Sequence, residues 1–257
     1  MNVITATFNK TIKEFLREKS VLFWTIVWPI IWVLIGSFTF ISGAPKEVIP
    51  YIRGSITISM MTFALTLAGM ANLPGNISRD RERGLLTKLK SMPVSPWKDF
   101  VGRILGLVAF SCLASILVIL AGIACGARFS GTIVSVFQCI IFLLIIFFAS
   151  AGIGLIVGTI IKHVHGAVMT GVGISVVTAS ISGLFAPYWS LPPMLQRFSR
   201  VYPISSANSS VIYLLLGKSY TGYNPLSVNQ VTATVMLSFL LFVVALILYS
   251  KFCWRKG

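Results

Sequence analysis

Six runs of about twenty mostly apolar residues punctuate this chain, and that is the length an α-helix needs to cross a lipid bilayer. They cover Val21 to Ile41, Gly54 to Leu73, Ile104 to Gly126, Thr132 to Ile161, Gly166 to Ala186 and Val231 to Ser250. In hydrocarbon every backbone N–H and C=O must be bonded within the structure, so such runs fold as helices. The fourth run is long enough to tilt in the bilayer. Runs and short connections use up the 257 residues, so the expected fold is an all-α membrane protein with one transmembrane domain over 1–257.

Composition agrees. Hydrophobic residues make up 56% of the chain and charged residues 11%, against roughly 45–50% and about 25% in soluble domains. The net charge of +15 reflects a scarcity of acids, only six, in a chain otherwise poor in charge. Lipid is therefore the expected surrounding, and nucleic acid is not an expected partner. Fifteen of the 21 lysines and arginines fall on segments 1–20, 74–103, 162–166 and 251–257, the same side of a six-span topology. The positive-inside bias then predicts both termini in the cytoplasm of a multi-pass cell-membrane protein. The first run is too long for a cleavable signal peptide and follows twenty residues that mix acids with bases, so it reads as a signal anchor.

What the runs lack also constrains function. Glu14, Glu18, Glu47, Asp80, Glu82 and Asp99 all lie outside them, and no lysine or arginine sits in mid-run. Proton relays, charged filters and intramembrane hydrolases need ionisable groups within the bilayer. Cys112, Cys125, Cys139 and Cys253 form no paired motif and read as small apolar fillers. His163 and His165 have no neighbouring ligands to make a metal site. Gly217-Lys218-Ser219 resembles the end of a phosphate-binding loop, but the glycine required five places earlier is Ile212. Neither a catalytic residue, a metal nor an ATP site is expected in this chain. Asn9, Asn76 and Asn208 match the glycosylation tripeptide, a pattern common by chance. Gly122/Gly126 and Gly154/Gly158 permit close helix packing, either within one chain or between two.

Three connecting segments are not plain loops. Over residues 8–19, Phe8, Ile12, Phe15 and Leu16 share one helical face, with Lys10, Lys13, Glu14, Arg17 and Glu18 on the rest. This predicts an amphipathic helix lying at the cytoplasmic interface. Over 76–103, the mixed run Arg79-Asp80-Arg81-Glu82-Arg83 reads as a charged hinge. After Gly84, Leu85, Leu86, Leu89 and Met92 make a short amphipathic helix, ended by Pro93 and Pro96, and Ser95 is placed to cap the next helix. Acids and a helix exceed what a basic loop needs, and they suit a docking surface. Over 187–230, two short helices are expected, Leu191 to Val201 after Pro192-Pro193 and Ser205 to Leu216 after Tyr202-Pro203. They make a re-entrant hairpin or external cap, or else a loop lying on the headgroups.

RDRERGLLTKLKSMPVSPW at 79–97 resembles the cytoplasmic loop of ABC-2 type transporter permeases. It carries the acid–base run with Glu82-Arg83-Gly84, the leucine-rich turn Leu85 to Leu89, and Pro93-Val94-Ser95. The stretch 182–215 is also similar to the family's, with Ser182-Gly183, Pro187, Leu191-Pro192-Pro193 and Tyr202-Pro203 in order. The resemblance implies the membrane half of an exporter, acting as a homodimer or heterodimer of permeases. A separate ABC ATP-binding subunit would bind ATP and Mg and do the hydrolysis, because this chain carries no fused nucleotide-binding domain. It implies a coupling helix at about 84–92 with Leu85, Leu86, Leu89 and Pro93, and Arg79, Asp80, Arg81, Glu82, Arg83 and Gly84 as contacts that carry motion. Pro187, Leu191, Pro192, Pro193, Tyr202 and Pro203 would belong to an external gate. Cargo would pass between two copies along the first, second and fifth spans.

The alternative is a stand-alone membrane carrier or an accessory assembly component without an ATPase partner, which has no need of the mixed-charge loop. A membrane-bound lipid transferase would need a polar catalytic cluster at the interface, and the sequence displays none. Cargo identity is not legible. Phe23, Trp24, Trp28, Trp32, Phe38 and Phe40 in the first run favour a hydrophobic or amphiphilic compound, although aromatics so spaced more often make lipid-facing belts.

Overall fold

The computed structural model describes residues 3–39, 41, 44–85, 88, 96–186 and 188–253. Among them every regular element is helical. Helix α1 (Val3–Arg17) precedes six helices long and apolar enough to span a membrane. These are α2 (Lys19–Thr39), α3 (Ile49–Glu82), α4 (Pro96–Ala124), α5 (Ile133–Ile160), α6 (Val164–Ile181) and α9 (Val228–Cys253). Between the last two lie α7 (Pro193–Val201) and α8 (Pro203–Leu216).

α3 is the axis of the bundle. From Ile58 to Asp80 it is buried all round, touched by α2, α4, α5, α6 and α8. A helix without an outward stripe belongs in the interior. Its neighbours keep one face outward: α9 lies along α5 and exposes Val235, Met236, Phe239 and Leu240. Gly122 meets Thr57, Gly154 meets the Gly69 carbonyl and Gly158 meets Pro74, so both small-residue pairs serve packing within this chain.

The helices run alternately between two ends. At the first end, α1, the close of α3 and the start of α4 meet the close of α5 and of α9, with the Phe100 and Tyr249 rings 5.9 Å apart. At the second end, Arg128 N–H donates to the Pro50 carbonyl and Ser130 N–H to the Leu215 carbonyl.

Two spans are longer than their apolar runs. α3 continues through Asn76, Arg79 and Asp80 to Glu82, and α4 begins at Pro96 rather than Ile104. The charged run 79–83 is therefore no hinge after the second span; residues 79–82 are its last turn. Arg79, Asp80, Glu82, Asp99 and Arg103 can stay in these helices because each finds a partner on another element, as described below.

α1 divides its apolar face between the bundle and the outside. Its buried residues are Thr7, Thr11 and Phe15, whereas Phe8 and Ile12 are half-buried and Leu16 is 46% exposed. Threonines face inward because Gly106 of α4 has no side chain: a Cβ there would stand 2.9 Å from Thr11 Cβ. This close contact turns Lys10, Glu14 and Glu18 toward α3 and leaves Leu16 facing out.

Candidate functional site

The first end of the bundle holds a buried ionic cluster. Asp80 and Asn76 sit one turn apart on the same face of α3. Arg103 of α4, 1% exposed, donates through Nη2 to Asp80 Oδ2 at 2.7 Å and to Asp99 Oδ2 at 3.2 Å, and through Nη1 to Asn76 Oδ1. Lys10 of α1 takes the other oxygen of Asp80. Thr7 Oγ1 donates to Asp99 Oδ1 at 2.9 Å, and Asn76 Nδ2 to Glu14 Oε2 at 2.6 Å. Arg79 pairs with Glu18 at 2.9 Å and Arg83 with Glu14 at 3.5 Å.

The charges balance. Lys10, Arg79, Arg83 and Arg103 face Glu14, Glu18, Asp80 and Asp99. Buried ions of one sign alone would cost several kcal/mol each, and mutual pairing with added hydrogen bonds offsets that cost. Four of the six acids of the chain are used in this way. Asp80 has no exposed surface and Arg79 only 9%. Of the run 79–83, these two face inward, onto α1 and α4. Arg103, Lys10 and Asn76, which the sequence reading did not count among the site residues, hold the cluster together.

The turn that ends α3 behaves differently. Arg81 donates to the Thr159 carbonyl at the close of α5, at 3.4 Å. Glu82 Oε1 accepts from the Val164 N–H at 2.9 Å, at the start of α6, and lies 3.5 Å from His163 Nδ1. Glu82 and Arg83 are exposed, Leu85 is half-buried and Lys88 exposed. Gly84 has φ +67, the left-handed conformation that closes many helices. Leu86, Leu89 and Pro93, with most of the expected helix 84–92 and the cap at Ser95, lie outside the described residues.

At the second end, α8 enters the bundle. It packs on α5, α3 and α9, and Pro203 through Ile212 are buried. Its polar side chains are answered from the surrounding helices. Asn208 Oδ1 accepts from Thr62 at 2.8 Å, Ser206 shares a hydrogen bond of 2.7 Å with Thr234, and Ser205 donates to the Ser182 carbonyl at 2.6 Å. Such depth does not fit a loop lying on the headgroups. Pro193 and Pro203 each open a helix, Leu191 is buried, Pro192 and Pro193 are exposed, and Tyr202 stacks on Phe198 at 5.4 Å. Pro187 lies outside the described residues. Gly217 follows the last residue of α8, and Lys218 and Ser219 begin the 3₁₀ turn Lys218–Tyr220.

Among the described residues, six apolar helices, five of them set around a buried central one, define a polytopic α-helical membrane protein. The sequence profile of the ABC-2 type transporter family matches residues 2–216, and the chain belongs to that family. It is a transmembrane permease of an ABC-type transporter. The match runs from the start of α1 to the last residue of α8. Comparison with curated proteins returned no match.

Proposed function

We propose that this chain is the permease subunit of an exporter driven by a separate ABC ATP-binding subunit, which supplies the ATP and Mg site. In this reading the chain performs no chemistry of its own. It works beside a second permease copy, identical or related, with both termini in the cytoplasm of the cell membrane. The observation that carries the reading is the turn Arg81 to Arg83. It ends the most enclosed helix of the bundle, and it touches α5 through Thr159, α6 through Val164 and α1 through Glu14. A displacement applied there reaches α1, α3, α5 and α6 together. Packed helices transmit it as a rigid-body shift rather than absorbing it.

Residues 84–93, with Leu85, Leu86, Leu89 and Pro93, would be the contact for the ATP-binding subunit. The described residues of the basic segments, 3–20, 74–85, 88, 96–103, 162–166 and 251–253, belong to the first end, which supports a cytoplasmic orientation for it. Leu191, Tyr202 and Pro203, with α7 and α8, would close the exit at the opposite end.

Purification from native membranes in mild detergent, followed by mass spectrometry, tests this. A near-stoichiometric ATP-binding protein is expected with the wild type. It should be lost or weakened in Leu85→Asp, which places a charge on an apolar face, and in Arg81→Ala/Glu82→Ala. Absence of any nucleotide-binding protein from the wild-type preparation would overturn the reading in favour of a stand-alone carrier or assembly component.

A further inference from the structure

At the second end a cavity of about 380 Å³ opens between α2, α3, the residues that follow α6, and α8. Its walls differ. Trp32 and Phe185, with ring centroids 5.0 Å apart, stand with Ile52, Ile56 and Ile212 on the apolar side. Ser55, Ser59, Asn208, Ser209, Ser182 and Thr221 supply hydroxyl and amide groups. Among the described lining residues none is ionisable at neutral pH. Two nearby arginines are not among the lining residues, and each is already engaged, Arg200 by the lining residue Tyr188. Arg53 Nε donates to the Ser37 carbonyl at 3.2 Å, and Arg200 Nε to Tyr188 Oη at 2.6 Å.

The polar wall has unused hydrogen-bonding capacity. Ser182 is 3% exposed, and its Oγ has no partner among the described residues. Asn208, also 3% exposed, has one amide hydrogen in a long 3.4 Å contact with Ser59 and no second acceptor among the described residues. A charged ligand here would be desolvated with no counter-charge. A pure hydrocarbon would leave these buried polar groups unpaired, which also costs free energy. An uncharged group with several hydroxyls, attached to an apolar portion, satisfies both walls. Ring faces such as Trp32 and Phe185 suit a flat, C–H-lined surface.

We propose that this cavity binds the uncharged, hydroxyl-bearing head of an amphiphile, a glycoside in chemical class. As cargo selection, the assignment rests on the permease reading above. Its test measures binding to this chain alone, so the two fail separately.

The experiment replaces Cys112, Cys125, Cys139 and Cys253 by alanine, introduces Ser55→Cys, and places the full chain in lipid nanodiscs. The rate of modification by a water-soluble maleimide is followed with octyl β-D-glucoside, octyl sulfate or octyltrimethylammonium, each below its micelle concentration. The glucoside is expected to slow modification about threefold, as two-thirds occupancy would, and the ionic octyl compounds are expected not to. Methyl β-D-glucoside, the head without the tail, should protect less. Asn208→Leu in the same background should abolish the glucoside effect, each rate being compared with that variant's own unliganded rate. Ser219→Cys, at the exposed rim, repeats the assay if Ser55→Cys does not fold. Equal protection by all three octyl compounds, protection by none, or equal protection by the methyl and octyl glucosides would each overturn the proposal.

Discussion

Asn72 Nδ2 donates a 2.8 Å hydrogen bond to Thr25 Oγ1, and each residue sits in a π-helical turn, Ala68–Asn72 of α3 and Phe23–Val27 of α2. The turns have a common cause. Pro29 and Pro74 each follow a turn by two residues and have no N–H for the carbonyl four places back, Thr25 and Met70. Widening the helix relieves the clash. Two spans thus carry the same local irregularity at matching depth, joined by a side-chain bond between groups that are almost fully buried.

Thr25→Val and Asn72→Leu should each lower stability modestly, and together by less than their sum. The coupling expected for a hydrogen bond between membrane helices is about 0.6 kcal/mol and at most about 1.7 kcal/mol. A double-mutant cycle on unfolding in mixed micelles reads it. Strict additivity would mean that the two turns are held independently.

Asp80→Asn removes one partner from a buried pair and leaves Arg103 and Lys10 facing a neutral amide. Destabilisation of about 3–5 kcal/mol is expected, seen as a lower melting temperature and a poorer yield of monodisperse protein. Asp99→Asn should cost less, because Arg103 keeps its shorter bond to Asp80. Asp80→Leu with Arg103→Leu should recover part of the loss, since the fully buried guanidinium is removed with its main partner, while Asp99 keeps its bond from Thr7 and Lys10 is partly exposed.

Gly106→Leu should lift α1 from α4, because Thr11 already occupies the space a side chain would need. The readout is trypsin cleavage at Lys13 or Arg17, which should quicken while the spans stay protected. Leu16→Ala, on the outward side of α1, should leave cleavage unchanged.

Gly154→Val drives a side chain into the Gly69 carbonyl of α3, an overpacking that costs about 1–3 kcal/mol. Gly173→Val on α6 meets nothing within 4 Å and should move folding stability by no more than about 0.5 kcal/mol. Thermal unfolding of both in the same detergent provides the comparison.

The spans were legible because a run of apolar residues reports its environment without knowing its neighbours. Ile133–Ile160 differs from the expected 132–161 by one residue at each end. The close of α3 was not legible by that route. Arg79, Asp80 and Glu82 look like a loop when each is counted alone, yet the 3.6-residue period sets Asn76 and Asp80 on one face. Their partners are far along the chain, Lys10 before and Arg103 after, so only the tertiary structure pairs them. The face of α1 that meets the bundle was not legible for a related reason: a glycine on α4 and acids and amides on α3 and α4 select Thr7, Thr11 and Lys10, which hydrophobicity does not mark. The π turns did have a sequence signal, prolines at 29 and 74, which a scan for apolar length passes over. α8 was placed correctly as a short helix after Tyr202-Pro203, but its serines gave no hint that other helices would answer them.

The ionic cluster also sets a timetable for biosynthesis. Thr7, Lys10, Glu14 and Glu18 leave the ribosome long before Asn76, Asp80, Asp99 and Arg103 exist to receive them. Until the α3–α4 pair is complete, α1 has no seat and must wait at the water-facing edge of the membrane. Conversely, Asp80 and Arg103 neutralise each other as soon as the fourth helix inserts, so these ions need not enter the bilayer region unaccompanied. The segment made first is therefore among the last to reach its final place, and its arrival fastens the two helices whose partnership it depended on.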